Sequence, residues 1–226
     1  MSESTAIPAP ELRQIEQLLW DRVGTGWWQN GREALAGKRI RPTVFLSFAA
    51  DAGIEEGAKL GIAAAIELAH LSQKVGYEGF LGASAQAAAL AAYAVDCMAT
   101  YQPVLCRALA DAISGPLAAD EDSTAHGKLM GMAVSCVEMT TGDAARSSRL
   151  NSLGCLIGEA MYQLDIAAGK YSRQDNSAIV KAKEFAEKAA SMLQSEQHSV
   201  AISMLRNLVV TLSAKIDEVK RREAHS

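Results

Sequence analysis

An all-α protein is what this sequence predicts, and three observations predict it. β-branched residues dominate no window, no hairpin dipeptide separates alternating apolar and polar runs, and proline and glycine cut the chain into segments with helical apolar spacing. At 226 residues, 49% of them hydrophobic, the chain can bury one substantial core. It is read as a single domain over residues 1–226 with a flexible start at 1–9.

The punctuation divides the chain into successive helical segments. The first runs from Pro10 to Val23, and the second, Arg41 to Ala52, carries Pro42 in its first turn, where a missing N–H costs nothing. Glu55 to Lys74 places Leu60, Ala64, Leu68 and Leu71 on one buried stripe. Ser84 to Tyr101 is so rich in alanine that neighbouring helices can come close. Pro103 opens a short helix to Ile113, after which "SGPLAADEDSTAHG" interrupts the chain with turn formers and acids. Lys128 to Met139, Ala144 to Ala168 and Ser177 to Leu193 follow. An amphipathic segment from His198 to Arg222 comes last, and the closing "KRREAHS" reads as a solvated helix end whose cations complement the dipole.

Charge and cysteine usage narrow the function classes. Twenty-two Lys and Arg against 26 Asp and Glu give a net charge of -4, which excludes a general nucleic-acid binder, so any anion site must be local. Cys97, Cys106, Cys136 and Cys155 form no C-x-x-C pair and the histidines are scattered, so free, mostly buried thiols in a reducing cytoplasm are expected, without zinc. The start of the chain has neither a basic region nor an apolar core, so no secretory signal is expected. The longest uncharged run, Gly79 to Val95, is mostly small residues and reads as a packed helix rather than a membrane span.

One short stretch stands out against the acidic background. "GKRIRP" puts Lys38, Arg39 and Arg41 within four positions between a glycine and a proline. By itself such a cluster is read as a solvated basic turn or as a local anion site. "GKRIRPTVFLSFAA", followed by "AAAIELAHLSQ", resembles the G-G-K-R-x-R-P turn and the A-x-E-x-x-H helix of the trans-isoprenyl diphosphate synthases. "HGKLMGMAVSC" is similar to that family's K-T-x-x-L-F helix, "NSLGCLIGEAMYQ" to its Y-G-x-x-L-G-x-A-F-Q helix, and "DIAAGKYS" to its D-L-x-x-G-K-x-T. The matches occur in the family's order and cover most of the chain. The resemblance implies a shortened isoprenoid synthase-type helical bundle in which Lys38, Arg41, His70, Lys128 and Lys170 hold diphosphate. A fork of guanidinium donors and compact ammonium charges suit that anion. Each residue also has a plainer reading: His70 as a hydrogen-bonded core histidine, Lys128 and Lys170 as solvated lysines.

The sequence departs from the family where its chemistry resides. In these synthases two D-D-x-x-D motifs hold magnesium ions that bridge to the allylic diphosphate. The first should begin at Tyr77, where "YEGFL" offers only Glu78, and the paired arginines that normally follow are absent. At the second, "AMYQ" runs straight into "LDIAAGKYS". Asp165 is read as the aspartate of that last motif, because Gly169, Lys170 and Ser172 are in register with it. The acids Asp120 to Asp122 read as helix-capping residues. Asn151, Cys155 and Glu159 have the spacing of a cyclase metal triad, but cysteine is a poor magnesium ligand. No catalytic residue and no metal ligand is therefore assigned, no cofactor is expected, and magnesium would be expected only with residual activity. Phe80, Met132 and Met161 are large enough to fill the old cavity and equally read as core.

What the resemblance then implies is a non-catalytic or accessory, small-subunit-like protein of isoprenoid biosynthesis. It would form a homodimer or a heterodimer with an active prenyl diphosphate synthase through its alanine-rich helix, with a prenyl diphosphate as candidate ligand. Two alternatives stay open: a metal-independent prenyltransferase or terpene cyclase of the same fold, and a prenyl diphosphate or lipid-binding protein.

Overall fold

The computed structural model describes residues 9–23, 39–50, 52–77, 83–113, 124–169 and 177–223. These form nine α-helices and one 3₁₀ turn, with no strand among the described residues. The helices are α1 (Ala9–Val23), α2 (Ile40–Ala49), α3 (Glu56–Tyr77) and α4 (Ala83–Tyr101), then the turn Pro103–Leu105 and α5 (Cys106–Ile113). After these come α6 (Ala125–Thr141), α7 (Ala144–Ala167), α8 (Ala178–Ser195) and α9 (Val200–Glu223). Every expected segment is present, and the all-α class holds. Lys38, Glu78, Phe80, Asp120 to Asp122 and Lys170 lie outside the described residues.

Several boundaries moved, each for a local reason. Ala9, expected in the loose start, is the first residue of α1. Glu55 stands just before α3 because its carboxylate accepts the N–H groups of Gly57 and Ala58, both at 2.9 Å, which also holds its pKa below the usual carboxylate value. The most consequential shift is at α6, expected from Lys128 but beginning at Ala125. Thr124 is its cap: the hydroxyl accepts the Gly127 N–H at 3.3 Å, which pulls His126 out of the loop and into the first turn. At the other end Gly142 closes α6 with φ 84°, its N–H bonded to the Glu138 carbonyl at 3.0 Å. Asp143 then caps α7 by accepting the Arg146 N–H at 2.9 Å, so α6 and α7 form a tight antiparallel hairpin.

α3 is the central helix. A single buried stripe was expected, yet every residue from Gly61 to Ala69 is buried, because α1, α2, α4, α5 and α6 pack around it. Leu60 of the expected stripe is only half-buried, while Ala64, Leu68 and Leu71 are in the core. α4 lies along α3 with the ring of Tyr101 seated on Gly61 and the Cys97 thiol directed at the Gly61 carbonyl at 3.3 Å. Cys97 and Cys136 are buried and Cys106 and Cys155 half-buried, all as free thiols.

The most extensive helix pairing is α6 with α7, and glycine makes it. A Cβ on Gly158 would stand 2.7 Å from the His126 carbonyl oxygen and 2.8 Å from the Gly127 Cα; one on Gly154 would stand 2.6 Å from the Gly131 Cα. Backbone therefore touches backbone, and no side chain could be accommodated without separating the helices. α8 and α9 complete the bundle: Arg206 of α9 donates to the carbonyls of Leu193 (2.9 Å) and Glu196 (3.2 Å), satisfying the open end of α8. Among the described residues no helix is long and apolar enough to cross a membrane.

Gly158→Ala is expected to destabilise the fold by about 1–3 kcal/mol, since the clash is with backbone rather than a movable side chain. Urea unfolding followed by circular dichroism measures it, and an unchanged midpoint would remove the seam from the account.

Candidate functional site

The basic cluster does not act as one unit. Arg39 has φ 49° and ψ 36°, the one left-handed non-glycine backbone among the described residues, in a conformation that costs about 1–2 kcal/mol. Its side chain, only 4% exposed, offsets this by pairing with the equally buried Glu67 of α3 at 2.9 Å, and it reaches Glu16 of α1 at 3.8 Å. Arg39 is thus an internal anchor: it fixes the start of α2 against α1 and α3. The left-handed turn leaves Arg41, two residues on, to point elsewhere.

Arg41 points at His126. One terminal guanidinium nitrogen lies 3.5 Å from both His126 Nδ1 and the His126 carbonyl oxygen, and both side chains are buried. Arginine can only donate, so Nδ1 must be the bare nitrogen and the ring proton sits on Nε2. The His126 ring also stacks on Tyr162 of α7, with centroids 4.8 Å apart and planes 14° from parallel. It meets the half-buried His70 of α3 edge-on at 5.6 Å. One imidazole therefore gathers residues from α2, α3 and α7. Burial, reinforced by the Arg41 charge, lowers its pKa to about 3, so His126 is neutral throughout the physiological range.

Of the five residues expected to hold diphosphate, Arg41 and His70 come together around this ring. Lys128 is half-buried on α6, two residues beyond His126. Lys38 and Lys170 lie outside the described residues. Close by in the helices, Gln73 on α3 donates to the Ala112 carbonyl at 3.4 Å, and the Oε1 atoms of Gln73 and of Gln163 on α7 are buried with no partner among the described residues.

Asn151, Cys155 and Glu159 do share a face of α7, but that face is the glycine seam. Asn151 Oδ1 and Cys155 Sγ abut Gly131, and Glu159 abuts Gly127. Their spacing is the packing period of a helix against its neighbour. The Glu159 carboxylate accepts the Thr124 backbone N–H, and its pKa is raised because desolvation outweighs that bond. No group of three or more His, Cys, Asp or Glu able to hold a metal occurs among the described residues. A guanidinium, two imidazoles and a phenol do not fit magnesium, which takes oxygen ligands. An open groove of about 330 Å³ lies at the far end of α6, between Glu138 and Asn151, with none of the expected site residues in its lining.

Sequence reasoning missed His126, Tyr162 and the Arg39–Glu67 pair. The signal for His126 was Thr124, a capping residue directly before "AHGK"; reading it would have placed His126 on the helix.

No family model matches the chain, and no curated protein matches it. Solved structures do. A geranyltranstransferase from Thermotoga maritima superposes with a TM-score of 0.62 at 16% identity, over 94% of this chain and 98% of that one. A geranylgeranyl pyrophosphate synthase from Lactobacillus brevis complexed with citrate gives 0.69 at 15% identity, over 94% and 96%. An FPP/GFPP synthase from Zymomonas mobilis gives 0.66 at 17% identity, over 90% and 96%. The chain has the all-α fold of the prenyl diphosphate synthases along nearly its whole length.

Two outcomes follow for the buried charges. Glu67→Ala, which removes the buried, closer ion-pair partner of Arg39, is expected to cost about 3–5 kcal/mol in chemical denaturation; a loss below about 1 kcal/mol would mean that Glu16 and other contacts suffice for Arg39. The unfolded chain binds a proton on His126 near pH 6.5 and the folded one near pH 3, so between these values the unfolded state holds more protons. Stability is therefore full above about pH 6.5 and falls as pH drops, by up to about 1.4 kcal/mol per pH unit from this residue. Urea midpoints at pH 7.5 and 5.5 should separate strongly in the wild type and less in His126→Asn. Equal separation would exclude His126 as the source.

Proposed function

We propose that this protein is a non-catalytic, accessory member of the isoprenoid synthase fold that retains a diphosphate-binding site and works by assembly with a prenyl diphosphate synthase. The observation that carries the reading is the meeting of Arg41 and His70, from separate helices, around the buried His126 ring. It is supported by the fold itself and by a sequence with no Asp-Asp pair anywhere in its 226 residues.

The chemistry follows from the donor set. A prenyl diphosphate carries two to three negative charges, which Arg41 meets with a planar fork while Lys38, Lys128 and Lys170 supply compact charges to the remaining oxygens. Magnesium in such sites neutralises the departing diphosphate so that the allylic cation can form. Cations of this kind add to the stabilisation of a departing diphosphate, but without an aspartate pair to recruit magnesium the reading is of binding without ionisation. For assembly, α4 turns Ala88, Ala92 and Ala99 outward, a face of small side chains that a second helix can approach closely.

Isothermal titration with geranyl and farnesyl diphosphate, with and without magnesium and alongside product analysis, tests this. Binding is expected without product and independent of chelator. Arg41→Ala or Lys38→Ala should weaken it about tenfold, the loss of one charge-assisted contact. Product that persists in chelator would replace this reading with a metal-independent transferase or cyclase. Absence of any binding would leave assembly as the fold's remaining use, to be read from co-elution with a synthase.

A further inference from the structure

We infer that His126 is the positioning residue of the anion site: it fixes the guanidinium of Arg41 through its Nδ1 atom and its own carbonyl, and is itself clamped against Tyr162. The inference rests on the reading of Arg41 as a diphosphate contact, but its geometry stands independently. An arginine side chain has many rotamers, and ordering it on binding consumes affinity. Here the ordering is done beforehand. The same terminal nitrogen lies 3.5 Å from both the carbonyl oxygen and the Nδ1 atom of His126.

What makes His126 suited to this is the way it is held. Its backbone carbonyl lies in the α6–α7 seam, directly over Gly158, so the helix that carries it cannot shift without parting from α7. Its ring is pinned by the stack on Tyr162 and the edge contact with His70. Among the described residues, the charged and titratable groups in contact with it are Arg41 from α2, His70 from α3 and Tyr162 from α7. A protonated ring would face that guanidinium with like charge, so the neutral tautomer is the only one compatible with the contact. His126 is therefore a neutral acceptor that orients a cation and is itself no cation for the ligand. Arg39, two residues before Arg41, is held differently in the same bundle, by the carboxylate of Glu67 at 2.9 Å.

Two measurements on the full chain test the inference. The first needs no ligand: ¹⁵N NMR of the wild type should show His126 as the Nε2–H tautomer across pH 5 to 8, and the Arg41 Nε–Hε resonance should show slow guanidinium rotation. That rotation should accelerate in His126→Phe, which keeps a ring for the Tyr162 stack but has no acceptor, and slow again in His126→Asn, which restores an oxygen near the Nδ1 position. The opposite tautomer, or a rotation rate indifferent to both substitutions, would overturn the inference. The second is a double-mutant cycle read by titration with geranyl diphosphate. His126→Phe should weaken binding about tenfold in the wild type and have no further effect in Arg41→Ala. Losses that multiply independently would show that His126 does not act through Arg41. If the wild type binds no diphosphate, the functional reading fails and the NMR result alone decides the positioning role.

Discussion

Everything at the candidate site depends on the contact between the backbones of α6 and α7. Where Gly127 and Gly131 meet Gly158 and Gly154, the two helices approach to distances that would exclude even a methyl group. That contact sets the height at which His126 on α6 meets Tyr162 on α7, and hence where Arg41 and His70 can meet the ring. It also accounts for the Asn151, Cys155 and Glu159 pattern. Residues flanking a close helix contact recur at four-residue intervals for the same reason that ligand triads do, since both must share a face.

The bundle handles its buried charge in two different ways. At Arg39 it uses an ion pair, with Glu67 balancing a guanidinium that a left-handed turn has driven into the core. At Arg41 the contacts among the described residues are to neutral groups, the Nδ1 atom and the carbonyl of His126. Two arginines buried two residues apart thus meet different partners. One cation stabilises the turn, and the other lies where α2, α3, α6 and α7 converge.

The fold was largely legible because its signals are local. Helical spacing, proline and glycine punctuation and Pro42 in a first turn each act within a few residues, so nine segments could be placed with shifts of only a few residues. The site was half legible. Arg41 and His70 were found through motif resemblance, whereas His126 was lost in a stretch read as loop, because the Thr124 cap was overlooked. Tyr162 was quoted as part of a motif without a role, since a phenol in an apolar helix carries no mark of the ring that will stack on it.

By itself, the sequence determined the helical class, the order of the elements, the local basic turn and the absence of paired aspartates, for these are properties of composition and short-range spacing. Only the tertiary structure decided that Arg39 pairs with Glu67 while Arg41, two residues on, meets His126. The physical reason is that a guanidinium's role depends on its partners. Glu67 lies 28 residues from Arg39 and His126 lies 85 residues from Arg41, so the partnerships exist only once the helices have packed.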